Sequence, residues 1–143
     1  MRRCSVKLFD LSFAGAFKFG KVLGAALLAA AFLAPLAHAE GIGGSWSGGG
    51  VVVFSDGHRE RARCRAHYSQ SGHSVSLNGV CATASGSVDQ TAQLRQTGPN
   101  SYSGSFNNST YGIQGSIHVS VHGSSQNVSL RGGGGSASLS LHR

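Results

Sequence analysis

The sequence predicts an all-β protein, a small antiparallel meander of about eight strands that closes into an up-and-down barrel. The first observation is alternation: from Tyr111 to Val121 the odd positions are mainly apolar, whereas the even positions in between are small or polar. A period of two over such a length is typical of a strand with one buried and one solvated face. The second observation is that no segment after residue 39 repeats its apolar residues at helical spacing.

Turn-forming residues divide the chain after residue 39 into eight strand-like segments. The breaks are rich in Gly, Asn, Asp, Ser and Pro, which favour chain reversal. The predicted strands cover residues 45–54, 59–70, 73–83, 87–96, 101–107, 110–122, 125–131 and 136–142.

Each segment has its own pattern. The first is glycine-rich and ends in valines and a phenylalanine, and the second alternates Arg with small residues. The third and fourth alternate Ser, Gln and Thr with Val, Leu and Ala, and the fifth carries Tyr and Phe among serines. The sixth is the alternating strand described above, and the last two alternate Ser or Asn with Val and Leu. Large apolar side chains are so few that closing the sheet on itself is the efficient way to bury one face, because a closed barrel leaves no open edge. A two-sheet sandwich is the alternative.

Residues 1–39 have the pattern of a secretory signal peptide. A basic leader precedes an apolar run, and Ala37-His38-Ala39 supplies the small residues of a cleavage site. Removal of this segment leaves residues 40–143 as a single β-domain with no transmembrane span, because the apolar run is too short and no stop-transfer charges follow it. The predicted location is therefore outside the cytoplasm, either periplasmic or secreted.

The two cysteines of the predicted β-domain, Cys64 and Cys81, fit one hairpin register. A two-residue turn at Gly72-His73 places residues opposite each other when their numbers sum to 145, which pairs these two cysteines. Directly opposed residues lie within the reach of a disulfide, and an exported chain meets an oxidising compartment. Two free thiols and a metal site are the alternatives.

The second strand carries a row of cationic side chains on the face opposite the cysteines. Its members are Arg59, Arg61, Arg63 and Arg65, followed by His67. Same-face side chains are about 6.7 Å apart, so the five extend over about 27 Å. Guanidinium groups bind phosphate and carboxylate in a bidentate way, which predicts an anionic envelope component such as lipid A or an acidic polysaccharide as partner. The alternative is that these arginines only keep an exposed strand soluble. Specific nucleic-acid binding is not expected, because aromatic residues are not interleaved with them.

Catalysis and cofactor binding are not expected. The predicted β-domain contains no Lys and only four carboxylates, and no nucleophile elbow is found among its serines. His118 and His122 lie about 13 Å apart on a strand, too far to share a metal ion. We therefore predict a non-enzymatic protein without a metal or cofactor.

Three short motifs resemble those of small exported alphaproteobacterial proteins of unassigned function. They are Trp46-Ser47-Gly48, Cys64-Arg65-Ala66-His67-Tyr68 and Cys81-Ala82. This resemblance implies an exported bacterial β-domain and brings no catalytic residues with it. At the level of the fold alone, a tryptophan in a glycine-rich first strand is also similar to calycin-like barrels, which include ligand carriers and protease inhibitors.

Two further classes of function stay open beside polyanion binding. One is a barrel that carries an apolar ligand among its interior aromatic residues, and the other is an inhibitor or adaptor that binds another protein through its loops. The aromatic residues expected inside the barrel are Trp46, Phe54, Tyr68, Tyr102, Phe106 and Tyr111. The oligomeric state is not predicted.

Overall fold

The computed structural model describes residues 41–143, so the predicted signal peptide lies outside the described residues. Eight strands follow one another along the chain. They are β1 (Gly44–Phe54), β2 (Arg59–Ser71), β3 (Ser74–Thr83), β4 (Gly86–Gly98), β5 (Ser101–Asn108), β6 (Ile113–His122), β7 (Ser125–Gly132) and β8 (Gly135–His142).

The strands form a closed antiparallel barrel. Each strand pairs with its neighbour in sequence, and β8 pairs with β1 to complete the ring. The predicted up-and-down barrel is therefore confirmed, and the two-sheet sandwich is excluded. Within residues 41–143 we find no helix with the length and apolar character needed to cross a membrane.

Glycines in β1 allow this ring to close. A Cβ atom at Gly48 would lie 2.1 Å from the backbone oxygen of Ser140, and one at Gly50 would lie 1.9 Å from that of Ser138. Such separations are far inside van der Waals contact. The absence of side chains at these two positions therefore lets β1 approach β8 closely.

The β2–β3 hairpin has the predicted register. Ser71 pairs with Ser74, Tyr68 with Leu77, and Cys64 with Cys81. The two sulfur atoms are 2.04 Å apart, so the predicted disulfide is confirmed.

The interior is filled by one cluster of buried apolar side chains drawn from all eight strands. The largest ones that are fully buried lie towards the end of the barrel where the described chain begins, and they include Trp46, Tyr68 and Ile42. The site described below lies at the opposite end.

The start of β6 differs from the prediction. The strand begins at Ile113, not at residue 110, and residues 109–112 form the turn after β5. Gly112 has a φ of 65°, a conformation that glycine adopts readily. Tyr111 therefore belongs to a turn, although its sequence position continues the alternation of the strand.

Candidate functional site

A cavity of about 110 Å³ opens at the end of the barrel where β1, β3, β5 and β7 finish. Most of its wall is apolar, and no charged side chain lines it. The larger lining side chains are Val52, Phe54, Val88, Phe106, Tyr111, Ile113, Leu130 and Leu139. Small residues complete the wall, including Ala137 and the glycines of the β7–β8 turn. An apolar wall of this kind suits the apolar part of a small molecule.

The other end of the barrel is closed by Trp46 and the two ends of the described chain. The indole Nε1 of Trp46 donates a hydrogen bond to the carbonyl oxygen of Ile42 at 2.8 Å. The guanidinium carbon of Arg143 lies 4.6 Å from the centroid of the Trp46 ring. Its Nη1 also donates to the carbonyl oxygens of Gly41 and Gly43, at 3.2 and 3.3 Å. The barrel thus has one closed end and one open end.

A buried polar pair lies in the closed half. Gln126 Nε2 donates to the Tyr68 hydroxyl at 3.2 Å, and both side chains are almost fully buried. Burial raises the pKa of Tyr68 to about 12, and the hydrogen bond from Gln126 offsets part of that effect. The Oε1 atom of Gln126 is buried without a hydrogen-bond partner among residues 41–143. Neither residue lines the cavity.

Two side-chain amides interrupt the apolar wall of the cavity. Gln90 on β4 and Asn108 on β5 are directly opposite each other in the antiparallel ladder, and both line the cavity. Asn108 is only 6% exposed. Its Oδ1 accepts a hydrogen bond from the backbone N–H of Tyr111 at 3.1 Å, which ties the β5–β6 turn to the wall.

The rim of the open end includes the carboxylate of Glu60. It accepts hydrogen bonds from the hydroxyl of Ser85 and, at 3.1 Å, from the backbone N–H of the same residue. His58 Nε2 lies 3.2 Å from the carboxylate. The hydrogen bonds from Ser85, together with a side-chain hydrogen bond from Thr83, lower the pKa of Glu60 from 4.5 to about 2. A negative charge is therefore held at the mouth across the range of ordinary pH.

The predicted interior aromatic residues divide into two groups. Trp46, Tyr68 and Tyr102 are buried in the closed half, outside the cavity lining. Phe106 is buried and Phe54 is half-buried, and both line the cavity.

Tyr111 departs from the predicted interior placement. Its side chain is 56% exposed and lies at the mouth of the cavity, because residues 109–112 form a turn. The expectation that it belongs to the buried interior is wrong.

The arginines of β2 form an exposed row, as the strand alternation predicts. Arg59, Arg61, Arg63 and Arg65 face outwards. Their cross-strand neighbours on β1 are Val53, Val51, Gly49 and Ser47, and those of Arg63 and Arg65 on β3 are Ala82 and Val80. None of these neighbours is acidic. Within residues 41–143 the one side-chain ion pair joins His58 and Glu60, so it does not involve the row.

Apolar surface and a groove accompany the arginine row. Val51, opposite Arg61, is 40% exposed, and Val80, opposite Arg65, is 46% exposed. A groove of about 520 Å³ passes between Gly48–Val51 and Arg61–Arg63. This face therefore combines cationic and apolar groups.

The sequence reasoning missed the two amides of the cavity wall. Gln90 continues the inward phase of Val88, Ala92 and Leu94, and Asn108 continues that of Phe106. Extending each alternation to the strand end would have placed both amides inside. The preference of Asn for turns instead favours a turn at Asn108.

No protein-family model and no curated protein matches this chain, so the resemblance to alphaproteobacterial exported proteins stays a prediction. Solved structures of designed β-barrels do match. A redesigned β-barrel, mFAP1, bound to DFHBI superposes with a TM-score of 0.61 at 12% identity, over 73% of this chain and 97% of that one. A fluorescence-activating β-barrel designed de novo gives 0.57 at 17% identity, over 73% and 95%. At such identities the likeness concerns the fold alone.

Proposed function

We propose that this barrel is a non-enzymatic binding protein that holds the apolar part of a small molecule in the cavity at its open end. The observation that carries the proposal is an apolar cavity at one end of a barrel whose other end is closed by Trp46 and Arg143. The solved barrels bound to DFHBI are similar in fold, which supports the capacity of such an architecture to hold a ligand.

The cavity sets the size of the ligand. An apolar cavity of about 150 Å³ is known to bind benzene. The cavity here measures about 110 Å³ and opens to solvent beside Phe54 and Tyr111. A single ring or a short alkyl segment fits inside, and any larger part of the molecule extends past the mouth.

The test is a cavity-filling substitution with a matched control. Ala137 lines the cavity, whereas the next residue, Ser138, faces outwards on the same strand. In titrations with toluene followed by NMR, the wild type and Ser138→Leu should show saturable shifts of cavity resonances, and Ala137→Leu should not. Equal responses from the two variants would contradict the proposal.

A second proposal concerns the arginine row. The exposed cationic and apolar groups on β1–β3 support this proposal. In this proposal the row binds phosphates of an anionic envelope component such as lipid A, and Val51 and Val80 contact its apolar part. Each basic residue near an anionic lipid surface contributes about 1 kcal/mol, and the attraction weakens as salt screens it.

The test compares two double variants that lose the same charge. Arg61→Ser/Arg63→Ser should release the protein from heparin and from lipid A vesicles at lower salt than wild type. Arg95→Ser/Arg131→Ser removes two exposed arginines from elsewhere on the barrel and should do much less. Equal losses would mean that net charge, not the row, drives retention.

We further propose that the protein is exported and cleaved after Ala39. The signal-like leader supports this, and the Cys64–Cys81 disulfide suits an oxidising compartment. Expression of the full chain in a bacterium, followed by intact mass measurement of the periplasmic and culture fractions, should give a protein that begins at Glu40. Recovery of the uncleaved chain from the cytoplasm alone would contradict export.

A further inference from the structure

We propose that the cavity selects neutral molecules that carry a hydrogen-bond acceptor oxygen, such as a carbonyl, next to an apolar body. The selecting groups are the opposed amides of Gln90 and Asn108. This inference rests on the proposed ligand-binding function and adds the chemical class of the ligand.

The position of the two amides is the first argument. Gln90 and Asn108 form a directly opposed pair on β4 and β5, and such a pair brings Cβ atoms to about 5 Å. Both side chains line the same cavity, and the residues before and after them in the inward phase are mostly apolar. Two adjacent amides can therefore reach one atom of a bound molecule.

The orientation of the Asn108 amide is the second argument. Its Oδ1 accepts a hydrogen bond from the backbone N–H of Tyr111, and only the oxygen of a side-chain amide can accept such a bond. This bond therefore assigns the oxygen and nitrogen positions of the Asn108 amide. The Nδ2 group then has two N–H donors, and within residues 41–143 no hydrogen bond from it is found.

The access of this donor to the cavity allows it to bind a ligand group. Asn108 as a whole is only 6% exposed, but within residues 41–143 the one fully buried side-chain polar atom without a partner is Gln126 Oε1, so the Nδ2 of Asn108 is still reached by solvent, and Asn108 lines the cavity. An acceptor oxygen on a molecule in the cavity would satisfy Nδ2. An ammonium group would not, because it has no lone pair to offer.

The charges around the cavity argue for a neutral ligand. No Arg, Lys or His lines the wall, so a carboxylate inside it would lack a counter-charge. At the rim, the carboxylate of Glu60 accepts hydrogen bonds from Ser85, itself a lining residue. The negative charge of Glu60 further disfavours an anion.

The experiment uses three probes of closely similar size: acetophenone, α-methylstyrene and benzoate. Acetophenone carries a carbonyl oxygen where α-methylstyrene carries a methylene group. Benzoate is an anion. With one hydrogen bond at stake, acetophenone should bind wild type about fivefold more tightly than α-methylstyrene. Acetophenone should also shift the side-chain NH₂ resonances of Asn108 in ¹⁵N spectra, and benzoate should not bind.

A matched pair of variants distinguishes an effect of the Asn108 amide on selectivity from an effect on folding. Asn108→Asp keeps an acceptor for the Tyr111 N–H and removes the N–H donors, so the preference for acetophenone should disappear. Asn107→Asp makes the same change on the exposed face of β5 and should keep the preference. The Asn108 resonances of the wild type supply the answer even where Asn108→Asp fails to fold.

The outcomes distinguish this inference from the proposed function. Equal affinities for acetophenone and α-methylstyrene, without a shift of the Asn108 resonances, would overturn the selectivity and leave the binding function standing. Binding of benzoate as tight as that of acetophenone would overturn the neutrality. If neither neutral probe entered the cavity, both proposals would be overturned.

Discussion

Replacing Arg143 with alanine is expected to destabilise the closed end of the barrel. The guanidinium carbon lies 4.6 Å from the centroid of the Trp46 ring, and Nη1 donates to the carbonyl oxygens of Gly41 and Gly43. These contacts join the last described residue of the chain to the segment before β1. Their loss removes a cation–π contact and two hydrogen bonds at once.

The magnitude follows from these contacts. A cation–π contact at an exposed site contributes about 0.5–1 kcal/mol. Hydrogen bonds from a charged donor contribute about 1.5–3 kcal/mol each in general, but these two are long, at 3.2 and 3.3 Å, and Arg143 is exposed to solvent. We therefore expect the free energy of unfolding to fall by about 2 kcal/mol in total, which corresponds to a decrease in Tm of roughly 10 °C for a domain of this size.

The assay is urea denaturation followed by the fluorescence of Trp46, the single tryptophan of the chain. Arg131→Ala removes the same charge from an exposed position on β7 and should change the free energy of unfolding by less than about 0.5 kcal/mol. Arg143→Lys keeps the charge without the planar guanidinium and should lie between the two. Equal stabilities of Arg143→Ala and Arg131→Ala would refute the role assigned to this residue.

Three other perturbations test the remaining features. Reducing the Cys64–Cys81 disulfide should lower the free energy of unfolding by about 3 kcal/mol, because the bond closes a loop across a sequence separation of 17, and denaturation with and without reductant measures this. Glu60→Gln should be less stable than wild type at neutral pH, and this difference should fade as the pH falls from about 4.5 to about 2, because the folded-state pKa of Glu60 lies below its ordinary value and its stabilising effect needs the ionised form. Denaturation of both proteins across that pH range measures this. A stability difference that stayed constant with pH would contradict the stabilising role of the ionised Glu60 carboxylate. Gly50→Ala should prevent proper closure of the barrel, because the new Cβ would lie 1.9 Å from a backbone oxygen of β8. Gly133→Ala is the control, because its Cβ would lie in open space. Similar melting temperatures for the two variants would refute the role assigned to Gly50 in the pairing of β1 with β8.

The fold was predictable because its determinants are local. Alternation identifies the strands, and the two-residue turn at Gly72-His73 fixes the register that brings Cys64 opposite Cys81, as the structure confirms. Tyr111 was misplaced for the same local reason. Its position in the alternation suits a strand, and only the turn that includes Gly112 moves its side chain to the mouth.

The candidate site was less predictable because it depends on contacts between distant segments. Nothing near Arg143 in sequence indicates that it stacks on Trp46, since the two meet only when β8 pairs with β1. The volume of the cavity likewise depends on which side chains from eight strands share one end of the barrel. By contrast, the exposure of the arginine row follows from the alternation of β2 alone.

The pairing of β1 with β8 has a consequence for the order of folding. Every other ladder joins strands that are neighbours in sequence and can form as a hairpin while the chain is still incomplete. The seam between Ser47–Phe54 and Gly135–His142 instead spans nearly the whole domain, so its loop-closure entropy is the largest in the molecule. A chain that emerges from its amino end first would present two unpaired edges until β8 arrived, and the last strand to be made is the one that removes both.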